Sequence, residues 1–83
     1  MEWLIRVTKP AQKSLNRIPE GYNRLINRAL AELEIFPFRG DIQKLGPASW
    51  RRRVASYRIF FDVYYEDHII VVTAITRRQS KTY

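Results

Sequence analysis

Residues 50–75 hold three runs of strand-forming residues with almost nothing between them: Trp50–Val54, Tyr57–Tyr65 and Ile69–Ile75. The middle run is rich in aromatic and β-branched side chains, which favour a pleated, half-buried surface. Glu66 and Asp67 form a hairpin turn. Connections this short join antiparallel neighbours, so the three runs read as an antiparallel meander. Ile69–Ile75 is nearly all apolar, which predicts a central strand covered on both faces.

The first half of the chain changes period. Trp3–Val7 reads as a strand. Thr8 is placed to cap a helix with Pro10 in its first turn, and Ala11, Leu15 and Ile18 follow at helical spacing. Pro19, Glu20 and Gly21 punctuate. Tyr22, Leu25, Ile26, Ala29, Leu30, Leu33 and Phe36 then recur at three- and four-residue steps, giving a second, longer helix that Pro37 and Gly40 end. Residues 37–49 read as a loop and residues 76–83 as a polar tail. The expected fold is α+β, in the order β-α-α-β-β-β. Two helices pack on one face of a small, mainly antiparallel, twisted sheet, within one domain spanning residues 1–83. Tyr22, Leu30, Leu33 and Phe36 are expected in the core, and Trp50 anchors its strand there. Phe60 and Tyr64 share strand parity with Arg58, so core and exposed stacking surface both stay open for them.

Composition removes several classes of function. A hydrophobic content of 46% is too high for a disordered chain. With no cysteine and a single histidine, His68, neither disulfides nor a metal site is expected, and no cofactor is called for. No apolar run approaches the roughly 18 residues of a membrane span, and charges at Glu2 and Arg6 interrupt any signal-peptide core. A soluble, cytoplasmic protein without membrane contact is the expectation.

The net charge is +7. Residues 50–83 carry seven basic and three acidic side chains, and six of the seven are arginine. Arginine presents a planar fork of donors that matches phosphate oxygens, and it stacks on bases. A polyanionic partner is the leading inference, with a merely soluble surface or nonspecific attraction to a membrane as the alternatives. Strand alternation sends Arg51 and Arg53 one way and Trp50, Arg52 and Val54 the other. A small sheet can thus gather guanidiniums and an aromatic ring on one surface, suited to a phosphate backbone with stackable bases.

Several landmarks recur in one order: Lys44-Leu45-Gly46, Trp50-Arg51-Arg52-Arg53-Val54, Ser56-Tyr57-Arg58-Ile59-Phe60-Phe61, Ile75-Thr76-Arg77-Arg78 and the closing Tyr83. With the element order, this series resembles the RelE/ParE toxin superfamily of bacterial and archaeal toxin–antitoxin systems, over nearly the whole chain. RelE-type members cut messenger RNA in the ribosomal decoding site, whereas ParE-type members share the fold and poison DNA gyrase. The basic tail ending in tyrosine is more similar to the RelE side. The resemblance implies a cognate antitoxin protein and messenger RNA on the ribosome, with its ribosomal RNA, as partners.

On that resemblance Arg58 stabilises the phosphate. Arg77 supplies a cation at the leaving oxygen, as charge rather than as proton donor, and Tyr83 stacks on a base or acts in proton transfer. Arg51 and Arg53 occupy places where RelE-type toxins often carry lysines, one of which serves there as general base. Arginine keeps its proton near neutral pH, so the base is left to Lys44, His68, Tyr83 or a group of the substrate or ribosome. For His68, which follows a hairpin turn, a solvated side chain is the plainer reading. Arg51, Arg52, Arg53, Lys44, Arg78 and Lys81 are the expected nucleic-acid contacts. Leu4 and the outer side of the helices are, by the same analogy, an antitoxin groove. Two other functions compete: a gyrase inhibitor without catalysis, and an inactive relative acting with its antitoxin in transcriptional autoregulation.

Overall fold

The computed structural model describes residues 2–77. Its elements are β1 (Leu4–Val7), α1 (Lys9–Asn16), α2 (Glu20–Ile35), β2 (Ile42–Lys44), β3 (Ser49–Val54), β4 (Tyr57–Tyr64) and β5 (Ile69–Arg77). The expected α+β architecture is present, with one strand more than expected. The sheet order is β1-β5-β4-β3-β2. β1 runs parallel to β5, and the other three pairings are antiparallel.

Local chemistry sets the helix boundaries. Thr8 has extended backbone angles and its hydroxyl accepts from the Ala11 amide at 3.4 Å. The same hydroxyl donates to the Thr73 carbonyl at 3.2 Å, and the Thr8 amide donates to the Val72 carbonyl at 3.0 Å. The cap of α1 is thereby tied to the central strand. Pro10 falls in the first turn, where its missing N–H leaves no intrahelical bond unmade. Glu20 places a negative charge at the N-terminal end of α2.

Both helices cover one face of the sheet. Ala11 and Leu15 of α1 and Ile26, Ala29, Leu30 and Leu33 of α2 form one cluster with Tyr57, Ile59, Phe61, Val63, Ile70, Val72 and Ile75. Leu30 and Leu33 take the core places expected of them. Tyr22 and Phe36 do not, being 40% and 48% exposed. Each lies at an end of α2, although the Tyr22 ring still meets that of Tyr57 at 5.6 Å. Trp50 anchors as expected: it packs against the cluster, and its indole N–H donates to the Tyr65 hydroxyl at 3.1 Å.

β5 is central, as expected, but only one of its faces lies under the helices. Ile70, Val72 and Ile75 are buried, whereas Ile69, Val71, Thr73 and Ala74 are half-buried on the other side. The spacing from Val72 to Ile75 is odd because of a β-bulge: Phe60 pairs with Ala74 but Phe61 pairs with Val72. Thr73 is the extra residue, and its hydroxyl donates to the Phe60 carbonyl at 3.3 Å. A bulge of this kind resets which face each later side chain takes.

The additional strand, β2, lies inside the stretch expected to be a loop. Ile42, Gln43 and Lys44 pair with Arg52, Arg51 and Trp50 at the sheet edge. Three residues are too few to show alternation in a sequence, and edge strands are often this short. The Leu45 amide closes the reversal onto the Ser49 carbonyl at 2.7 Å.

Candidate nucleic-acid interface

Cross-strand partners share a face of the sheet, so the register assigns every strand arginine. Arg53 pairs with Arg58, and Arg58 with Thr76. Arg51 pairs with Phe60, and Phe60 with Ala74. Ser49 pairs with Asp62, Asp62 with Val71, and Val71 with Arg6. All of these lie on the face away from the helices. Arg51, Arg53 and Arg58 therefore share one open surface, with Phe60 beside them.

Two of the three guanidiniums are held. Arg51 donates to the Gln43 side chain from the neighbouring edge strand. Arg53 lies with its Nε 3.3 Å from an Asp41 carboxylate oxygen. Among the described residues Arg58 has neither an ion-pair partner nor a side-chain hydrogen bond. Like charges directly opposite one another on adjacent strands repel, and Arg53 and Arg58 are such a pair. An anion bridging them relieves that repulsion and can accept paired N–H bonds from each guanidinium.

The register also removes three residues from the expected site. Arg52 points to the helix face, where it donates to Glu32 of α2 at 2.5 Å. Its side chain is only 13% exposed. Gly40, with φ of 91°, passes over it, and a Cβ there would lie 3.1 Å from the guanidinium carbon. Arg52 is a packing residue, not a surface contact. Lys44 pairs with Trp50 and sets its ammonium 5.6 Å from that ring, also away from the open face. Arg77 pairs with Tyr57, a buried residue of the helix face. The Thr73 bulge is the cause: without it Arg77 and Arg58 would have shared parity.

Of the proposed bases, Lys44 is thus on the wrong side. His68 is remote, at the other end of β5 from Thr76, with φ of 56° and its ring stacked on Trp3 at 4.2 Å. Tyr83, Arg78 and Lys81 lie outside the described residues. Leu4 is 52% exposed but belongs to the open sheet face, since it pairs with Ile69 rather than extending the helix surface. Sequence reasoning missed Arg6 and Gln43. Arg6 joins the open face only through the parallel β1–β5 register, and Gln43 only through a strand read as loop, so no signal in the chain itself marked either. No helix among the described residues is long and apolar enough to cross a membrane. No group of three or more potential metal ligands occurs among the described residues.

Solved structures share this fold. An archaeal RelE in complex with RelB from Pyrococcus horikoshii superposes with a TM-score of 0.87 at 23% identity, covering 98% of this chain and all of that one. The RelBE2 toxin–antitoxin complex of Mycobacterium tuberculosis gives 0.82 at 18% identity, covering 94% and 100%. The isolated Escherichia coli RelE toxin gives 0.84 at 15% identity, covering 95% and 87%. No curated protein matches the chain. A family model described as the ParE toxin of the type II toxin–antitoxin system parDE matches residues 5–81, nearly the whole length. By its sequence across that span and by a fold common to RelE toxins, this chain belongs to the RelE/ParE superfamily, within the ParE toxin family of type II toxin–antitoxin systems.

Proposed function

We propose that this chain is a toxin that cuts messenger RNA on the ribosome and is held in check by a cognate antitoxin. The observation that carries the reading is the open sheet face, where Arg51, Arg53 and Arg58 gather without helix cover and Arg58 is unpaired among the described residues. In the reaction a 2′-hydroxyl oxygen attacks the adjacent phosphorus, the bond to the 5′ oxygen breaks, and a 2′,3′-cyclic phosphate and a 5′-hydroxyl remain. Negative charge grows on the phosphate oxygens in the transition state. Arg58, opposite Arg53, meets that charge, and fixed donors aimed at developing charge are a strong source of rate. Arg51 and Phe60, one pleat repeat along, hold the neighbouring nucleotide so that the hydroxyl lies in line.

Arginine takes up no proton from the hydroxyl. That role belongs to Tyr83 or to a group of the ribosome or message, which makes the chain's own contribution mainly positioning and charge. The net charge of +7 favours docking on ribosomal RNA. The antitoxin is proposed because two of the structural relatives, from P. horikoshii and M. tuberculosis, are described as complexes with one.

Gyrase inhibition is the second reading. It is favoured by the matching family model, which is that of ParE, and by the absence of Lys44 and Arg77 from the open face. An inactive relative working with its antitoxin as a repressor is the third. Purified protein added to translating ribosomes, with cuts mapped on the message, and to a gyrase supercoiling assay separates all three. The nuclease reading expects cuts, uninhibited gyrase, and a loss of about 100- to 1,000-fold in cleavage for Arg58→Ala, as when one oxyanion donor is removed. Full cleavage by that variant rejects the role of Arg58, and gyrase inhibition without cuts rejects the nuclease.

A further inference from the structure

Asp62 is a carboxylate on the face that also carries Arg6, Arg51, Arg53 and Arg58. Strand parity places it with Arg58 and Phe60, half-buried between Ser49 and Val71. Its Oδ1 accepts from the Ser49 hydroxyl at 3.0 Å, while Oδ2 accepts no hydrogen bond among the described residues. No cation among the described residues lies within ion-pair distance of it. A negative charge here weakens attraction for phosphate along the whole surface. It is therefore a poor backbone contact and a good acceptor for something that carries donors.

We propose that Asp62 forms a nucleobase subsite that selects guanine, an inference that rests on the RNA-cutting reading and deepens it. Successive same-face residues on a strand stand about 6.7 Å apart, so Arg58, Phe60 and Asp62 span about 13 Å in a line. A phosphate at the Arg53–Arg58 pair sets the following base over the Phe60 ring. The Watson–Crick edge of that base then reaches Asp62. An ionised carboxylate only accepts. Guanine alone among the four bases presents two adjacent donors, N1–H and the N2 amino group, that a carboxylate can take together. Adenine and cytosine offer one exocyclic amino group beside an unprotonated ring nitrogen, and uracil offers one N–H flanked by carbonyls. Each of these three turns at least one acceptor toward the carboxylate, and an acceptor set against an acceptor is a specificity device. Ser49 steers the carboxylate from the adjacent strand and leaves Oδ2 free, so the group is already ordered before a base arrives.

The alternative role for Asp62 is purely structural, a cross-strand partner for Ser49. Asp62→Asn separates the two, because the amide oxygen still accepts from Ser49 while the new N–H₂ is a donor. Three 2′-O-methyl trinucleotides, uncleavable by hydroxyl attack, serve as probes: U-G-U, U-A-U, and U-I-U with inosine, which lacks the N2 amino group. Their affinities are measured by calorimetric titration. The wild type is expected to bind U-G-U about tenfold more tightly than the other two, the discrimination typical of a bidentate pairing. Asp62→Asn should lose that preference and bind the three probes alike, since an amide pairs with an adjacent donor and acceptor, which adenine (N6 amino group and N1) and both guanine and inosine (N1–H and O6) all present. Equal or undetectable binding of the three probes by the wild type, or an unchanged guanine preference in Asp62→Asn, overturns the proposal. Base preference is read here without cleavage, so failure of the nuclease reading shows separately, as an absence of cuts on the ribosome.

Discussion

Arg52 offers the sharpest test of the strand register, because it is expected from sequence to contact nucleic acid together with Arg51 and Arg53 although alternation turns it to the other face. In the structure it is the arginine that does not face out. Its side chain is 13% exposed against 50% for its partner Glu32. Its Nε is buried and unpartnered among the described residues. Replacing a partly buried pair by an apolar side chain of similar shape is often neutral, whereas removing one partner strands a charge. Arg52→Met leaves only the half-exposed Glu32 carboxylate without its partner, where water solvates it, and removes the unsatisfied Nε, so it should stay within about 1 kcal/mol of wild type. Glu32→Ala should cost more. A fully buried pair broken this way loses ~3–5 kcal/mol, and half-exposure of Glu32 lets water reach the guanidinium, which lowers that to roughly 1–2 kcal/mol. For a domain of this size the drop in Tm is about 4–8 °C per kcal/mol, so a fall of roughly 4–16 °C is expected. The functional half of the test is the salt dependence of binding to single-stranded RNA, followed by fluorescence anisotropy across a salt series. Removing one cation that neutralises a phosphate lowers the log–log slope by about 0.7. Arg58→Met should show that decrease and Arg52→Met none. An equal decrease for both, or a Glu32→Ala protein that melts with the wild type, would refute the assignment of Arg52 to the helix face.

Two other expectations follow from particular backbone and register features. Ala55 holds φ of 52° in the tight turn between β3 and β4, a conformation that costs an L-residue about 1–2 kcal/mol. Ala55→Gly removes that strain and adds unfolded-state freedom worth ~0.4–1 kcal/mol. Thermal melts should show a net gain of about 0.5–1 kcal/mol, and a destabilised variant would contradict the turn geometry. Arg77 lies on the helix side of the bulge, so Arg77→Gln should leave message cutting within about threefold of wild type while Arg58→Ala loses the two to three orders expected of a transition-state interaction. Comparable losses in both variants would place Arg77 at the phosphate after all.

Much of the fold was legible because short-range signals agreed. Thr8 with Pro10 marked the start of α1, the three- and four-residue apolar steps from Tyr22 marked α2, and the runs after Trp50 marked a meander whose ends shift by only a residue or two. Period alone also separated Arg51 and Arg53 from Arg52. What stayed hidden depends on pairing between distant segments. β2 is an edge strand of three residues whose partner is known only once Gln43 meets Arg51. The placement of Arg6 needs the parallel register of β1 on β5, set across the whole chain. The exposure of Phe36 follows from its place at the C-cap of α2, where Arg39 sits 4.1 Å above its ring.

The Thr73 bulge shows why charge clustering in a sequence is a weak guide to a site. Arg58 and Arg77 lie on adjacent antiparallel strands, and simple alternation from Val72 would send Thr76 to the core and Arg77 to the open face. Instead the extra residue lets Ile75 fill the core opposite Ile59, burying a large aliphatic side chain worth about 1.5–3 kcal/mol. Without the bulge that place would fall to Ala74 or Thr76, which cannot fill it as well. Packing therefore decides the register, and the register decides which cation meets a phosphate. The same step puts Thr76, a neutral donor, beside Arg58, and turns Arg77, which would otherwise stand diagonally across on the same face, to the helix side. Three like charges converging at one point would repel more strongly than the single Arg53–Arg58 opposition does. Along β4 the open face is thus graded, from the cation Arg58 through the Phe60 ring to the Asp62 carboxylate, with Arg51 and Arg6 on flanking strands. That gradient has a direction along the strand, and direction is what a single-stranded ligand with a phosphate at one side and a base edge at the other can follow.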